Sequence, residues 1–213
     1  MNDISEKEKN NQHRYLQNFL ENLRTYINIT KSKSLLRRYF VMNAFDGTMT
    51  SLGIIIGAYI SHIDDPAIII GIKIVSGIAM VISGFTGTYM TENAERASLL
   101  NELEDSMLTN LDDSIHGTAS RYVSFFAALV DGSAPFIASL PSLLPFILTI
   151  FTLIPINLAF SVSIIVDLIA LFLLGVFLGR ISERNAIHSG LKMVLAGVIV
   201  AILALLINRG LEA

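Results

Sequence analysis

Cysteine is absent from this 213-residue chain, which excludes disulfides and thiolate metal sites outright. Charge is scarce as well. Only 15% of residues are Asp, Glu, Lys or Arg, where soluble domains carry about 25%. The net charge of −3 is too slight to point to nucleic acid. An early apolar signal core is missing too, because the first 38 residues are polar and charged, unlike a cleavable secretory signal.

What the chain has in excess is apolar sequence: 53% of residues are hydrophobic and mean hydropathy is +0.61. Long apolar runs separated by charged patches make it an all-α, polytopic membrane protein. A spanning helix needs about 20 apolar residues, and five such segments are expected at 40–61, 66–90, 121–146, 157–179 and 190–208. Pro135, Pro141, Pro145 and Pro155 punctuate the third and fourth. Proline at membrane depth requires neighbours or water to satisfy the freed backbone groups, so the stretch from Ser133 to Pro145 is expected to be kinked. The expected organisation is a cytoplasmic amphipathic helix in 1–39, two spans in 40–90, an acidic helical extension in 91–120 and three spans in 121–213.

Lysine and arginine placement sets orientation. Eight precede the first span (Lys7, Lys9, Arg14, Arg24, Lys31, Lys33, Arg37, Arg38), Arg96 and Arg121 fall between the second and third, and Arg180, Arg184 and Lys192 between the fourth and fifth. Lys73 and Arg209 are the exceptions. The pattern predicts a cytoplasmic N-terminus and an external C-terminus. Leu16, Phe19, Leu20, Leu23, Tyr26 and Ile27 recur at helical spacing, giving an amphipathic helix suited to lipid headgroups or to a partner helix. The second span continues without a breaker to about residue 116. Leu99, Leu100, Leu103 and Met107 share one face of this extension, and Glu95, Glu102, Asp105, Asp112 and His116 populate another. That acidic face is either simply solvated or a surface that captures metal ions.

Ionisable groups at membrane depth are costly, at roughly 2.5–3.5 kcal/mol on insertion scales, and so mark function by default. Asp46, Lys73, Asp131 and Asp167 all fall within expected spans. Phe45-Asp46-Gly47-Thr48 and Val130-Asp131-Gly132-Ser133 share a local pattern. Both carboxylates should sit about 9–15 Å in from the cytoplasmic end, at 1.5 Å per residue. Two carboxylates at matched depth make a hard-oxygen site for a divalent cation, which Asn43, Met49, Thr50, Ser51 and Met90 can supplement; the thioethers favour transition metals. The bland reading of each acid is a structural hydrogen bond to a neighbouring helix. For Lys73 and Asp167, an ion pair is the economical arrangement. Gly53 and Gly57 form a GxxxG in the first span, and Gly175 and Gly179 another in the fourth, both suited to close helix contact.

Several stretches together resemble the vacuolar iron transporter family, which includes the yeast and plant vacuolar proteins. They are Asp46-Gly47-Thr48-Met49-Thr50-Ser51-Leu52-Gly53, Ile74-Val75-Ser76-Gly77, Gly84-Phe85-Thr86-Gly87-Thr88-Tyr89-Met90 with Glu92-Asn93-Ala94-Glu95-Arg96, Leu140-Pro141-Ser142-Leu143-Leu144-Pro145-Phe146 and Gly190-Leu191-Lys192-Met193-Val194-Leu195-Ala196-Gly197. In order, they cover about residues 40–209. The resemblance implies five spans, a homodimer whose ion path runs between the two first spans, and export of Fe2+ or Mn2+ from the cytosol in exchange for protons. It places Asp46 on the translocation path and cytosolic metal-ligand carboxylates in the region of Glu95, Glu102 and Asp105. Fe2+ or Mn2+ would be the transported substrate, with no permanently bound cofactor.

This chain departs from the family in its shorter cytosolic segment, in the offset of Met80, and in Lys73, which stands where better-known members have a glutamate. Asp131 is a candidate substitute acid. The host membrane is expected to be a prokaryotic cell membrane. Two other classes compete with the transporter. One is a non-transporting membrane scaffold or regulator of the same fold. The other is an intramembrane enzyme. The enzyme reading is weak: the Asp-Gly of phosphatidyl-alcohol transferases is followed by Ala-Arg, where this chain has Thr50-Ser51, and no Gly-x-Ser-Gly or Gly-x-Gly-Asp protease signature occurs.

Overall fold

A computed structural model describes residues 25–27, 32–109, 111, 114–183 and 185–211. These residues form α1 (Lys33–Ile60), α2 (Pro66–Met107), α3 (Ile115–Ser139), a 3-10 turn (Pro141–Leu143), α4 (Leu144–Ile150), α5 (Ile156–Ile181) and α6 (Ala186–Leu211). Five segments are long and apolar enough to cross a membrane: Lys33–Ile60, Pro66–Met107, Gly117–Ile150, Ile156–Ile181 and Ala186–Ile207. Much of their apolar surface is exposed; Ile169, Leu173, Ile202 and Leu206 all lie outward. A protein with this surface must be solvated by lipid rather than water. The fold is all-α among the described residues, as a polytopic membrane protein requires.

The third span is a composite. α3 runs through Pro135 without a break and ends at Ser139, and the chain then turns at Pro141–Leu143 into α4. Pro141 is the first residue of the 3-10 turn and Pro145 the second of α4, where a missing N–H costs nothing. The long second helix does continue past the membrane, but it stops at Met107 rather than near 116. Leu108 there adopts φ 51°, and Glu104 Oε1 accepts the Leu111 N–H at 2.6 Å. The same left-handed residue follows other helices at His62, Thr152 and Glu183. Stops of this kind carry no glycine, so the usual sequence signal for a helix end is missing.

The chain divides into two compact units. The larger, Arg38–Thr86 with Val130–Ala213, holds the apolar core. Ile55, Ala58, Ile69, Phe146, Ala159 and Phe160 form one cluster, with the Phe146 and Phe160 rings edge-to-face at 5.2 Å. Leu52, Ile56 and Leu171 form a second, covered by Phe45, Met49, Leu168 and Met193. α5 and α6 pack as a hairpin in which Gly175 lies against the Ser189–Gly190 backbone and Gly179 against Ala186. A side chain at either glycine would collide with backbone, so this GxxxG works as a packing surface.

The smaller unit comprises Met1–Arg37 and Gly87–Leu129. Within it Tyr26 stacks on Tyr122 at 5.4 Å. Arg96 reaches Glu92 at 3.1 Å and Ser32 Oγ at 3.0 Å, and Ser32, Thr88 and Glu92 are buried. The amphipathic positions Leu16, Phe19, Leu20 and Leu23, and Asp112 in the extension, lie outside the described residues.

Candidate functional site

In the larger unit α1 passes close to α3, because Gly47 leaves no side chain between it and the Pro135 backbone. α2 approaches α3 at two points. Gly77 faces the Phe136 ring, and a side chain on Gly132 would come within 2.6 Å of the Val81 carbonyl oxygen. Small residues at these crossings bring polar groups on three helices into the interior.

Asp131 is one of those groups. It is buried, its carboxylate accepts the Asn43 amide, and that amide also donates to the Tyr39 carbonyl at 3.0 Å. Asp46, three residues further along α1, has the opposite environment. It is exposed, and among the described residues it makes no hydrogen bond. The two acids expected to share one site are therefore placed differently, one held by an amide and one open. Thr50, Gly53 and Gly57 recur on the same face of α1 as Asp46, by helical spacing. Among the described residues of one chain, nothing stands within 4 Å of where a side chain on Gly53 or Gly57 would begin.

The remaining expected path residues divide similarly. Thr50 is exposed and lines a cleft with Gly47, Ser51, Lys73, Ser76 and Ser139. Met49 is half-buried and packs on the Leu52–Ile56–Leu171 cluster. Met90, in the smaller unit, is 67% exposed.

Lys73 and Asp167 are both buried, but the ammonium does not touch the carboxylate. Lys73 Nζ donates to Ser142 Oγ at 2.8 Å, Ser142 Oγ lies 3.0 Å from Ser51 Oγ, and Ser51 Oγ donates to Asp167 Oδ2 at 2.8 Å. The two charges expected to pair are linked through two hydroxyls rather than in direct contact. Ser142 reaches this position because the turn between Pro141 and Pro145 carries it inward. The one signal of that role in the sequence is a polar residue between two prolines at membrane depth.

Glu95, Glu102 and Asp105 are exposed. Glu95 and Asp105 are ten residues apart, about 15 Å along a straight helix, so one chain does not converge all three. Among the described residues, no group of three or more His, Asp or Glu side chains is placed to hold a metal ion. The part-buried Glu92–Arg96 pair was not expected to matter, although its i, i+4 spacing was visible.

Residues 107–209 match the model of the VIT family. The chain is also 34% identical over 175 residues to an uncharacterized protein of Methanocaldococcus jannaschii, a match that covers 81% of this chain and 88% of that protein. The chain belongs to the VIT family. No solved structure gives a significant match. VIT family membership associates this chain with movement of metal ions across a membrane, and the family's members are transporters rather than enzymes. The family match takes in α3 to α6, with Asp131 and Asp167; the match to the archaeal relative is longer than that region.

Proposed function

We propose that this VIT family protein exports a divalent transition metal, Fe2+ or Mn2+, from the cytosol in exchange for protons, as a homodimer. The observation that carries this reading is Asp46. A carboxylate exposed at membrane depth is stable only against a cation, a proton or a second polar surface. Its face of α1 carries Thr50, Gly53 and Gly57, too little bulk to fill a groove alone and well suited to a second copy of the same helix. A two-fold contact there sets Asp46 opposite its symmetry mate, giving two carboxylates and two Thr50 hydroxyls to a dication, with Met49 three residues along the chain to favour a transition metal. Asn43, one turn toward the start of α1, holds Asp131 of α3.

Coupling follows from charge. A carboxylate pair holds either one dication or protons, so metal entering the site expels protons and protons entering it expel metal. The exposed carboxylates Glu95, Glu102 and Asp105 on α2 would draw cations toward the cytosolic entrance. The positive-inside pattern sets the N-terminus in the cytoplasm. The scaffold reading draws on Lys73 and on the short cytosolic segment; an ammonium balanced by Asp167 on a neighbouring helix weakens the first of these grounds.

The test is transport in liposomes holding a metal-quenched indicator and a pH dye. The wild type should quench the first while the second reports proton counterflow. Asp46→Asn should abolish quenching while leaving the dimer intact, and undiminished transport by that variant ends the proposal. The absence of cysteine makes topology directly measurable: a single cysteine at His62 should label from outside, and one at Glu102 from the cytosolic side.

A further inference from the structure

The cluster around Asp167 has the composition of a cation site. Ser51, Lys73, Ser142, Ser163 and Asp167 come from α1, α2, the 3-10 turn and α5, and all five are buried. Ser51 donates to one oxygen of Asp167. The other oxygen, Oδ1, has no hydrogen-bond partner among the described residues, and neither has Ser163 Oγ one turn earlier on the same helix. Buried polar atoms are normally paired, so two orphaned oxygens on adjacent turns indicate unused ligand capacity. Together the cluster offers hydroxyl and carboxylate oxygens carrying one negative charge. The one positive charge in the cluster is the Lys73 ammonium, 2.8 Å from Ser142 Oγ.

We infer that Ser51, Ser142, Ser163 and Asp167 form a monovalent-cation site whose charge is balanced by Lys73, a tethered cation held at its edge by Ser142. The charge count decides the class. One carboxylate surrounded by hydroxyls is a hard-oxygen set matched to a single positive charge, and in this chain that charge is covalently attached. A sodium ion arriving in the cleft lined by Thr50, Ser51, Ser76 and Ser139 finds its ligands already neutralised. A dication gains no net attraction there, because the ammonium already balances the one carboxylate. Lys73 is therefore a selectivity element that closes this cleft to metal ions and confines them to the Asp46 face. The inference concerns an intrachain site and does not depend on how Asp46 is used.

Removing the amine should open the site. Thermal unfolding in detergent is followed at constant ionic strength while sodium chloride replaces choline chloride from 0.1 to 100 mM. Lys73→Met, which keeps the stem and loses the charge, should unfold at a temperature that climbs with sodium. Above saturation the rise should be about 3–6 °C per tenfold sodium, as expected for a ligand bound to the folded state alone. Wild type and Lys73→Arg should not respond, and Lys73→Met with Asp167→Asn should fold without responding.

A Lys73→Met protein indifferent to sodium overturns the inference, as does a wild type with the same sodium response. If Lys73→Met yields no folded protein in choline, recovery in 100 mM sodium supports the inference. Failure of sodium to recover it, while the double variant folds, overturns it.

Discussion

Asp46-Gly47 and Asp131-Gly132 are the same dipeptide, each preceded by an apolar residue and followed by a hydroxyl, yet their acids live in opposite surroundings. Both glycines do one job. Gly47 lets α1 lie on the Pro135 backbone, and Gly132 lets α3 lie on α2 beside Val81 and Phe85. Each acid precedes its glycine by one residue, roughly 100° around the helix, so what it meets depends on the element packed against that side. On α3 that rotation keeps Asp131 in the interior, where Asn43 meets it. On α1 it turns Asp46 outward. A buried acid with a dedicated amide is a fixed structural group; an open acid at membrane depth needs a partner from elsewhere. The two GxxxG motifs repeat the lesson, since Gly175 and Gly179 are filled by α6 while Gly53 and Gly57 meet nothing among the described residues of their own chain.

This contrast can be broken most severely through transport. Asp46→Asn should reduce metal flux in liposomes to the protein-free leak while leaving the unfolding temperature unchanged, since no intrachain bond is lost. An equal loss of fold would erase the distinction between the two acids. The next largest effect belongs to the third buried acid. Asp167→Asn or Lys73→Ala should each cost about 3–5 kcal/mol by leaving a buried charge unbalanced. Lys73→Met combined with Asp167→Asn should recover most of that in denaturant titrations; no recovery would mean the two groups are not coupled.

Asp131→Ala should cost about 1–3 kcal/mol, because the Asn43 amide loses its acceptor in the interior. Gly132→Ala belongs in the same range, about 1–3 kcal/mol, from forced separation of α2 and α3. The smallest expected change in folding sharpens the comparison best. Gly53→Ala should alter stability by no more than about 0.5 kcal/mol yet weaken self-association, measured by detergent-resolved mass or by energy transfer between labelled copies. A Gly53→Cys variant, the chain's single cysteine, should crosslink copies on oxidation.

Much of the scaffold was readable from the chain. The five apolar runs, the interruptions at Pro141 and Pro155 and the unbroken exit of the second span follow from hydropathy and from where proline falls. The end of α2 at Met107 was not readable, because Leu108 takes up a left-handed conformation with no glycine to announce it. The site was legible only in its membership. Asp46, Lys73, Asp131 and Asp167 stand out because ionisable groups are rare in spans. The roles of Ser51, Ser142 and Ser163 were hidden, since a serine at membrane depth satisfies itself on its own helix as readily as it joins a network.

The amino-acid sequence by itself determined that the chain is helical, lies in a membrane and carries a few expensive charges in its spans. Solvation alone dictates this, because apolar runs of that length have no other stable home and buried charges no cheap one. The three-dimensional structure decided which acid turns inward to an amide, which is balanced by a lysine through two hydroxyls, and which is left open. Those outcomes depend on which small residue lies at each helix crossing and on the rotation of each helix about it, quantities that identical dipeptides cannot encode.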